Sequence, residues 1–153
     1  MPAIERGQIE ALVPHRGRML LLDTLLGFEG EACECGLTVR DDPLFCRDGR
    51  VGAWVGVEYM AQTVAALIGL KARAAGAPVK IGLLLGTRRY QAHVPAFVPG
   101  MQLRVSATEL FHADNGVGAF EARVYEGERL LAEASLTAFQ PEDVARFLED
   151  VQV

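Results

Sequence analysis

The sequence predicts one α+β domain over residues 1–153, an antiparallel sheet wrapped around a single long buried helix. Three observations predict it. From Val51 to Leu70 the one charged residue is Glu58, and a helix that is apolar on every face is buried on every face. The segments that follow alternate apolar and polar residues between short turns, the pattern of antiparallel strands. Half of the 153 residues are hydrophobic and 23% are charged, the composition of a compact globule. A curled sheet would leave one flank of such a helix uncovered, so a dimer is the economical arrangement.

The elements follow in order. Residues 4–12 (IERGQIEAL) show weak helical periodicity that stops before Pro14, whose predecessor is biased away from helix. Met19 to Leu26 is an apolar run broken by Asp23 and is expected as a strand. In Ala32 to Arg40, Cys33, Cys35, Leu37 and Val39 fall on one face of a strand. Residues 41–52 (DDPLFCRDGRVG) are expected as loop. The buried helix is expected from about Ala53 to Ala75, stopped by Gly76 and Pro78, with Lys71 and Arg73 near its C-terminus. Then come Val79 to Tyr90, Met101–Leu110, Val117–Tyr125 and Leu130–Phe139, a meander joined at Pro99-Gly100, Asn115-Gly116 and Glu126-Gly127. Pro141 to Val151 is expected as a short amphipathic helix.

Charge and composition narrow the function. A formal net charge of −5 argues against binding a nucleic-acid backbone, which calls for a basic excess. Cys33, Cys35 and Cys46 form neither a disulfide framework nor a zinc pattern, and no metal or cofactor is expected. The start, MPAIERGQIEAL, carries acids where a signal peptide has a basic head, so a cytoplasmic location is expected. The apolar run is long enough for a membrane span. Glu58, Gln62 and Thr63 in its middle favour a core helix instead, since a carboxylate at a bilayer centre costs roughly 2.5 kcal/mol or more.

Glu58 is the most informative residue. A carboxylate in a dry helix must raise its pKa or find hydrogen bonds, and Gln62, at i+4 on the same face, can donate one. The alternative is that Glu58 faces solvent near the positive end of the helix dipole. His15 stands in a Pro-His-Arg-Gly loop, where a histidine is either surface decoration or a catalyst. His93 and His112 lie in turn-like surroundings and are weaker candidates. Arg88 and Arg89 make a small basic cluster at a strand end that could meet a phosphate. Neither a nucleophile elbow nor a glycine-rich phosphate loop is present.

Leu12-Val13-Pro14-His15-Arg16-Gly17-Arg18-Met19-Leu20-Leu21-Leu22-Asp23 resembles the segment that opens 3-hydroxyacyl-acyl-carrier-protein dehydratases of the FabZ and FabA type. Val57-Glu58-Tyr59-Met60-Ala61-Gln62 resembles the start of their central helix, and Leu84–Phe97 with Pro99-Gly100 is similar to a later strand and turn. The stretches Ala53–Gln62 and Leu84–Tyr90 are most similar to the ApeP-like dehydratases associated with aryl polyene biosynthesis. The resemblance implies a hotdog fold and a dimer, homo- or hetero-, with active sites at the subunit interface. It also implies an acyl chain carried on acyl carrier protein or coenzyme A, and a catalytic role for Glu58. One departure stands out. The loop histidine of the ordinary dehydratases has no counterpart in Leu44-Phe45-Cys46-Arg47-Asp48-Gly49.

Dehydration of a 3-hydroxyacyl thioester needs a base for the C2 proton, a group that handles the hydroxyl and donors for the thioester oxygen. The expected assignment makes His15 the base and has Glu58, held by Gln62, protonate or orient the hydroxyl. Backbone N–H groups near Ala53 and Trp54 would hold the oxygen, and Arg88 and Arg89 would meet the pantetheine phosphate. Two competitors remain: a thioesterase in which Glu58 activates water, and a non-catalytic hotdog subunit that completes a heterodimer.

Overall fold

The computed structural model describes residues 6–78 and 83–140. Among these described residues, nine strands and two α-helices run in the order α1 (Arg6–Ile9), β1 (Thr24–Glu29), β2 (Ala32–Thr38), β3 (Cys46–Arg47), β4 (Arg50–Gly52), α2 (Gly56–Ala74), β5 (Leu83–Ala92), β6 (Ala96–Phe97), β7 (Gln102–His112), β8 (Val117–Glu126) and β9 (Arg129–Phe139). Six strands form one antiparallel sheet in the order β1-β2-β7-β8-β9-β5, and β3-β4-β6 form a small second sheet. The amphipathic helix expected over Pro141 to Val151 lies outside the described residues, as do residues 79–82 of the expected strand.

The sheet holds α2 through a floor of small side chains. Ala107, Ala122 and Ala134 pair in a row across β7, β8 and β9, and all three are buried. Around that row Val105, Phe120, Val124 and Leu136 supply bulk against Met60 and Leu67 of the helix, both fully buried. Cys33 and Cys35 are buried on the same face of β2 as Leu37, as the alternation predicts. On the other side the helix meets the N-terminal segment so closely that a Cβ on Gly69 would sit 2.6 Å from the Leu12 carbonyl oxygen. The exit is a Schellman turn: Gly76 takes φ +70 and the Ala77 N–H donates to the Ala72 carbonyl at 2.8 Å.

Three expectations need correction, and a fourth, the start of the long helix near Ala53, gains detail. The run from Met19 is not strand until Thr24: residues Gly17–Met19 form a 3-10 turn, and Leu20, Leu21 and Leu22 are all buried. Period-2 alternation would have exposed one of those leucines, so the segment lies unpaired against α2 instead. Residues 41–52 are not all loop, because Asp48 and Gly49 both adopt positive φ (53 and 72), which is what a two-residue hairpin turn between β3 and β4 requires. The long helix opens with a 3-10 turn, Ala53–Val55, before becoming α at Gly56. The last strands are not a simple meander, since β5 pairs with β9 while β6 leaves to pair with β4.

The helix is not covered all round. Val57, Glu58, Ala61, Ala65 and Ile68 are half-exposed while their neighbours are buried, and their spacing draws one stripe along the helix. This is the flank a second subunit was expected to cover. The span Ala53–Ala74 is apolar and long enough for a membrane, but 61% of its most apolar window is buried inside the protein, which fits a core helix.

Candidate functional site

The site begins with the loop that carries His15. Its backbone is held by side chains, not by strand pairing. The Gln62 carbonyl oxygen accepts from the Leu21 N–H at 2.9 Å, and the Gln62 amide donates to the Met19 carbonyl at 2.7 Å. Arg40 donates to the Leu20 carbonyl at 2.5 Å, and Arg16 donates to the carbonyls of Val13 and His15, each at 2.7 Å. Arg18 forms a two-pronged ion pair with Asp42, tying the loop to the segment before β3. That hydrogen bond, helped by the Leu44 N–H, holds the Asp42 carboxyl well below its usual range. A short loop so fastened can present His15 to the helix in one place.

There it meets Glu58. His15 Nε2 stands 3.3 Å from Glu58 Oε1, and Gln62 Nε2 donates to the same oxygen at 2.9 Å. The amide orientation of Gln62 follows from its other partners. A backbone N–H must meet its oxygen and a backbone carbonyl must meet its nitrogen, so the end facing Glu58 can only donate. Glu58 is therefore an acceptor at Oε1. Its pKa is lowered, chiefly by the hydrogen bond with His15 and also by Gln62, against the opposing effect of burial. The carboxyl is neither dry nor in open water, with its side chain 34% exposed.

That direction favours the orienting role within the expected assignment. An ionised Glu58 orients a hydroxyl but carries no proton to give it at neutral pH. His15 has its own asymmetry: its Nδ1 is buried and has no hydrogen-bond partner among the described residues.

Ala53 and Trp54 open the 3-10 turn at the start of α2, where N–H groups lack acceptors within the helix. Trp54 is 68% exposed. Arg88 and Arg89 are exposed on β5 and, among the described residues, form no hydrogen bond or ion pair with His15, Glu58 or Gln62, so the structure leaves them apart from the pair. What the sequence did not single out is Tyr90, whose hydroxyl donates to the Ala53 carbonyl. It also did not single out Arg40 and Arg18, whose anchoring of the loop depends on long-range contacts. A half-open cavity of about 380 Å³ lies at the other end of α2, lined by Ile68, Lys71 and His112 among others, and it does not reach the pair. The described residues contain no cluster of three or more metal-binding side chains.

A sheet wrapped on a helix, with an imidazole–carboxylate pair at the helix start, defines a hotdog protein of the dehydratase kind. Residues 7–149 match the model of the ApeP-like family, ApeP dehydratase, and the chain belongs to that family. Among solved structures it is similar to a chain of the dehydratase heterocomplex ApeI:P from Xenorhabdus doucetiae, with 25% identity over 95% of this chain and 97% of that one and a TM-score of 0.86. The fold recurs in protein PH1136 from Pyrococcus horikoshii, with 13% identity over 95% and 99% of the two chains and a TM-score of 0.66. It recurs again in a hypothetical thioesterase from Streptococcus pneumoniae, with 10% identity over 76% and 83% and a TM-score of 0.59. No curated protein matches the chain. The chain is a dehydratase of the hotdog class.

Proposed function

We propose that this dehydratase eliminates water from a 3-hydroxyacyl thioester, carried on acyl carrier protein or coenzyme A, in fatty-acid or polyene-type biosynthesis in the cytoplasm. The observation that carries the reading is the 3.3 Å approach of His15 to Glu58. In this mechanism the substrate hydroxyl donates to the ionised Glu58, while His15 Nε2 takes the C2 proton. The C2–H electrons form the C2=C3 bond and the C3–O bond breaks. The imidazolium, stabilised by the neighbouring carboxylate, returns its proton to the departing oxygen as water. The N–H groups of Ala53 and Trp54, at the start of the helix, receive the thioester oxygen as enolate character develops. Arg88 and Arg89 are assigned to the pantetheine phosphate.

A second hotdog subunit completes the reading. For Nε2 to be a base, the ring hydrogen must sit on Nδ1, which then needs an acceptor that the described residues do not supply. The half-exposed stripe of Val57, Ala61, Ala65 and Ile68 beside Glu58 offers the face on which such a subunit would pack, and the ApeI:P chain comes from a heterocomplex.

The test is hydration of an enoyl thioester by the chain alone and with a second hotdog subunit. His15→Ala and Glu58→Gln should each lose about a hundredfold or more; unchanged rates in both would remove the assignment. Free thiol appearing from the acyl thioester would instead favour a thioesterase, in which the ionised Glu58 activates water. Inactivity of the chain with no effect of either substitution on the pair would favour a non-catalytic subunit.

A further inference from the structure

The start of α2 is held from outside the helix by a residue the mechanism above does not use. Tyr90 reaches from β5 and its hydroxyl donates to the Ala53 carbonyl. That carbonyl and the Trp54 N–H belong to one planar trans peptide, in which the two bonds point in opposite directions. Fixing the oxygen therefore fixes the direction of the Trp54 N–H. A donor on the oxygen also polarises the peptide and strengthens the hydrogen bond its N–H can give. The Ala53 oxygen accepts from the Gly56 N–H as well, so both of its acceptor positions are used.

Two further features are arranged around this contact. A Cβ on Gly56 would collide with the Tyr90 hydroxyl and lie 3.3 Å from the Phe97 ring, so the position after the turn is open for the phenol. On β5 the register shifts between Arg88 and Gln91, which pair with Ser135 and Glu133. Three steps on one strand thus match two on the other. Arg89 within that bulge takes φ +56, a conformation that costs a non-glycine residue on the order of 1 kcal/mol or more. Bulges re-aim side chains, and the residue next to the strained one is Tyr90. Its pKa is raised by burial, which keeps the hydroxyl a donor.

We propose that Tyr90 is a positioning residue for the dehydration, holding the Ala53–Trp54 peptide so that the Trp54 N–H faces the thioester oxygen. The inference rests on the reading of the site given above and deepens it. Tyr90→Phe, measured in the active protein with its second subunit, should lower kcat for enoyl-thioester hydration about tenfold or more, the scale of a weakened oxyanion donor. KM should stay within about twofold of wild type, because a donor that acts mainly in the transition state adds little to ground-state binding. The Trp54 amide resonance should shift in the amide NMR spectrum. Gly56→Ala, which displaces the hydroxyl without removing it, should give the same kcat loss. If Tyr90→Phe fails to fold, Gly56→Ala decides the matter by the same readouts. Unchanged kcat, or a loss explained by thermal stability with the Trp54 amide unmoved, overturns the proposal. If Glu58→Gln abolishes activity while Tyr90→Phe does not affect it, this inference alone fails; if Glu58→Gln is silent, the reading of the site fails with it.

Discussion

The two ends of α2 both carry charge and treat it in opposite ways. At the C-terminal end Lys71 lies between two acids, paired with Glu31 and with Glu109. That ammonium is answered on both sides, the Glu31 pKa is lowered first by the hydrogen bond from Lys71, and the cation sits where the helix dipole favours it. At the N-terminal end Glu58 Oε1 accepts from Gln62 and lies 3.3 Å from His15 Nε2, while the adjoining His15 keeps a buried nitrogen without a partner among the described residues. Saturated ions clamp a structure. An incompletely satisfied pair at the edge of a dry helix retains capacity for a substrate.

Three measurements would break or sharpen this contrast. The largest effect is expected for Gln62→Leu. The substitution would strand the Leu21 N–H and the Met19 carbonyl, both now bonded to Gln62, at about 1–3 kcal/mol for each group. It would also release the His15 loop, so thermal stability and activity should fall together; a variant that loses neither would remove Gln62 as the keystone. An intermediate effect concerns protons. The Glu58 pKa lies below its ordinary 4.5 because of His15 first and Gln62 after it. A carboxyl depressed on folding adds stability that is fully present above its unfolded pKa and is lost as pH falls through the folded value. Carboxyl NMR should therefore show Glu58 titrating below 4.5, and His15→Ala should move that titration upward. No upward movement would mean the imidazole is not its main partner. The smallest effect is expected for Lys71→Met. Glu31 is mostly exposed and Glu109 mostly covered; ion pairs this close to water contribute little and are screened by salt, so stability should drop slightly, by an amount that added salt partly reproduces, and kcat should not change.

Much of the architecture was legible because it follows from periodicity. The strands containing Cys33-Cys35-Leu37, Leu103-Val105-Ala107 and Phe120-Ala122-Val124 bury the faces their alternation marks. The approach of Gln62 to Glu58 is a consequence of i+4 spacing, so it too could be read in advance. The approach of His15 to Glu58 could not be derived from spacing, since 43 positions separate them; it was reached through motif resemblance. The leucines at 20–22 misled for a physical reason: an apolar run without alternation says buried, not strand, and here the hydrogen bonds that replace strand pairing come from the side chains of Gln62 and Arg40. Asp48-Gly49 is a two-residue turn signal that stood in plain view within a segment read as loop. Tyr90 was hidden because a one-residue bulge in β5 shifts the alternation from which its direction would be read.

The paired thiols of β2 have a consequence for the proposed reaction, in which activated acyl groups are handled. Cys33 donates toward the Thr63 carbonyl at 3.6 Å, and its pKa is raised well above 9.0, first by hydrogen bonding with Cys35 and then by burial. A sulfur kept protonated and sealed is a poor nucleophile, so it is protected from acquiring an acyl group in that reaction. Its capture by a maleimide would clock each opening of the sheet, giving the folded protein an internal stopwatch without any engineered label.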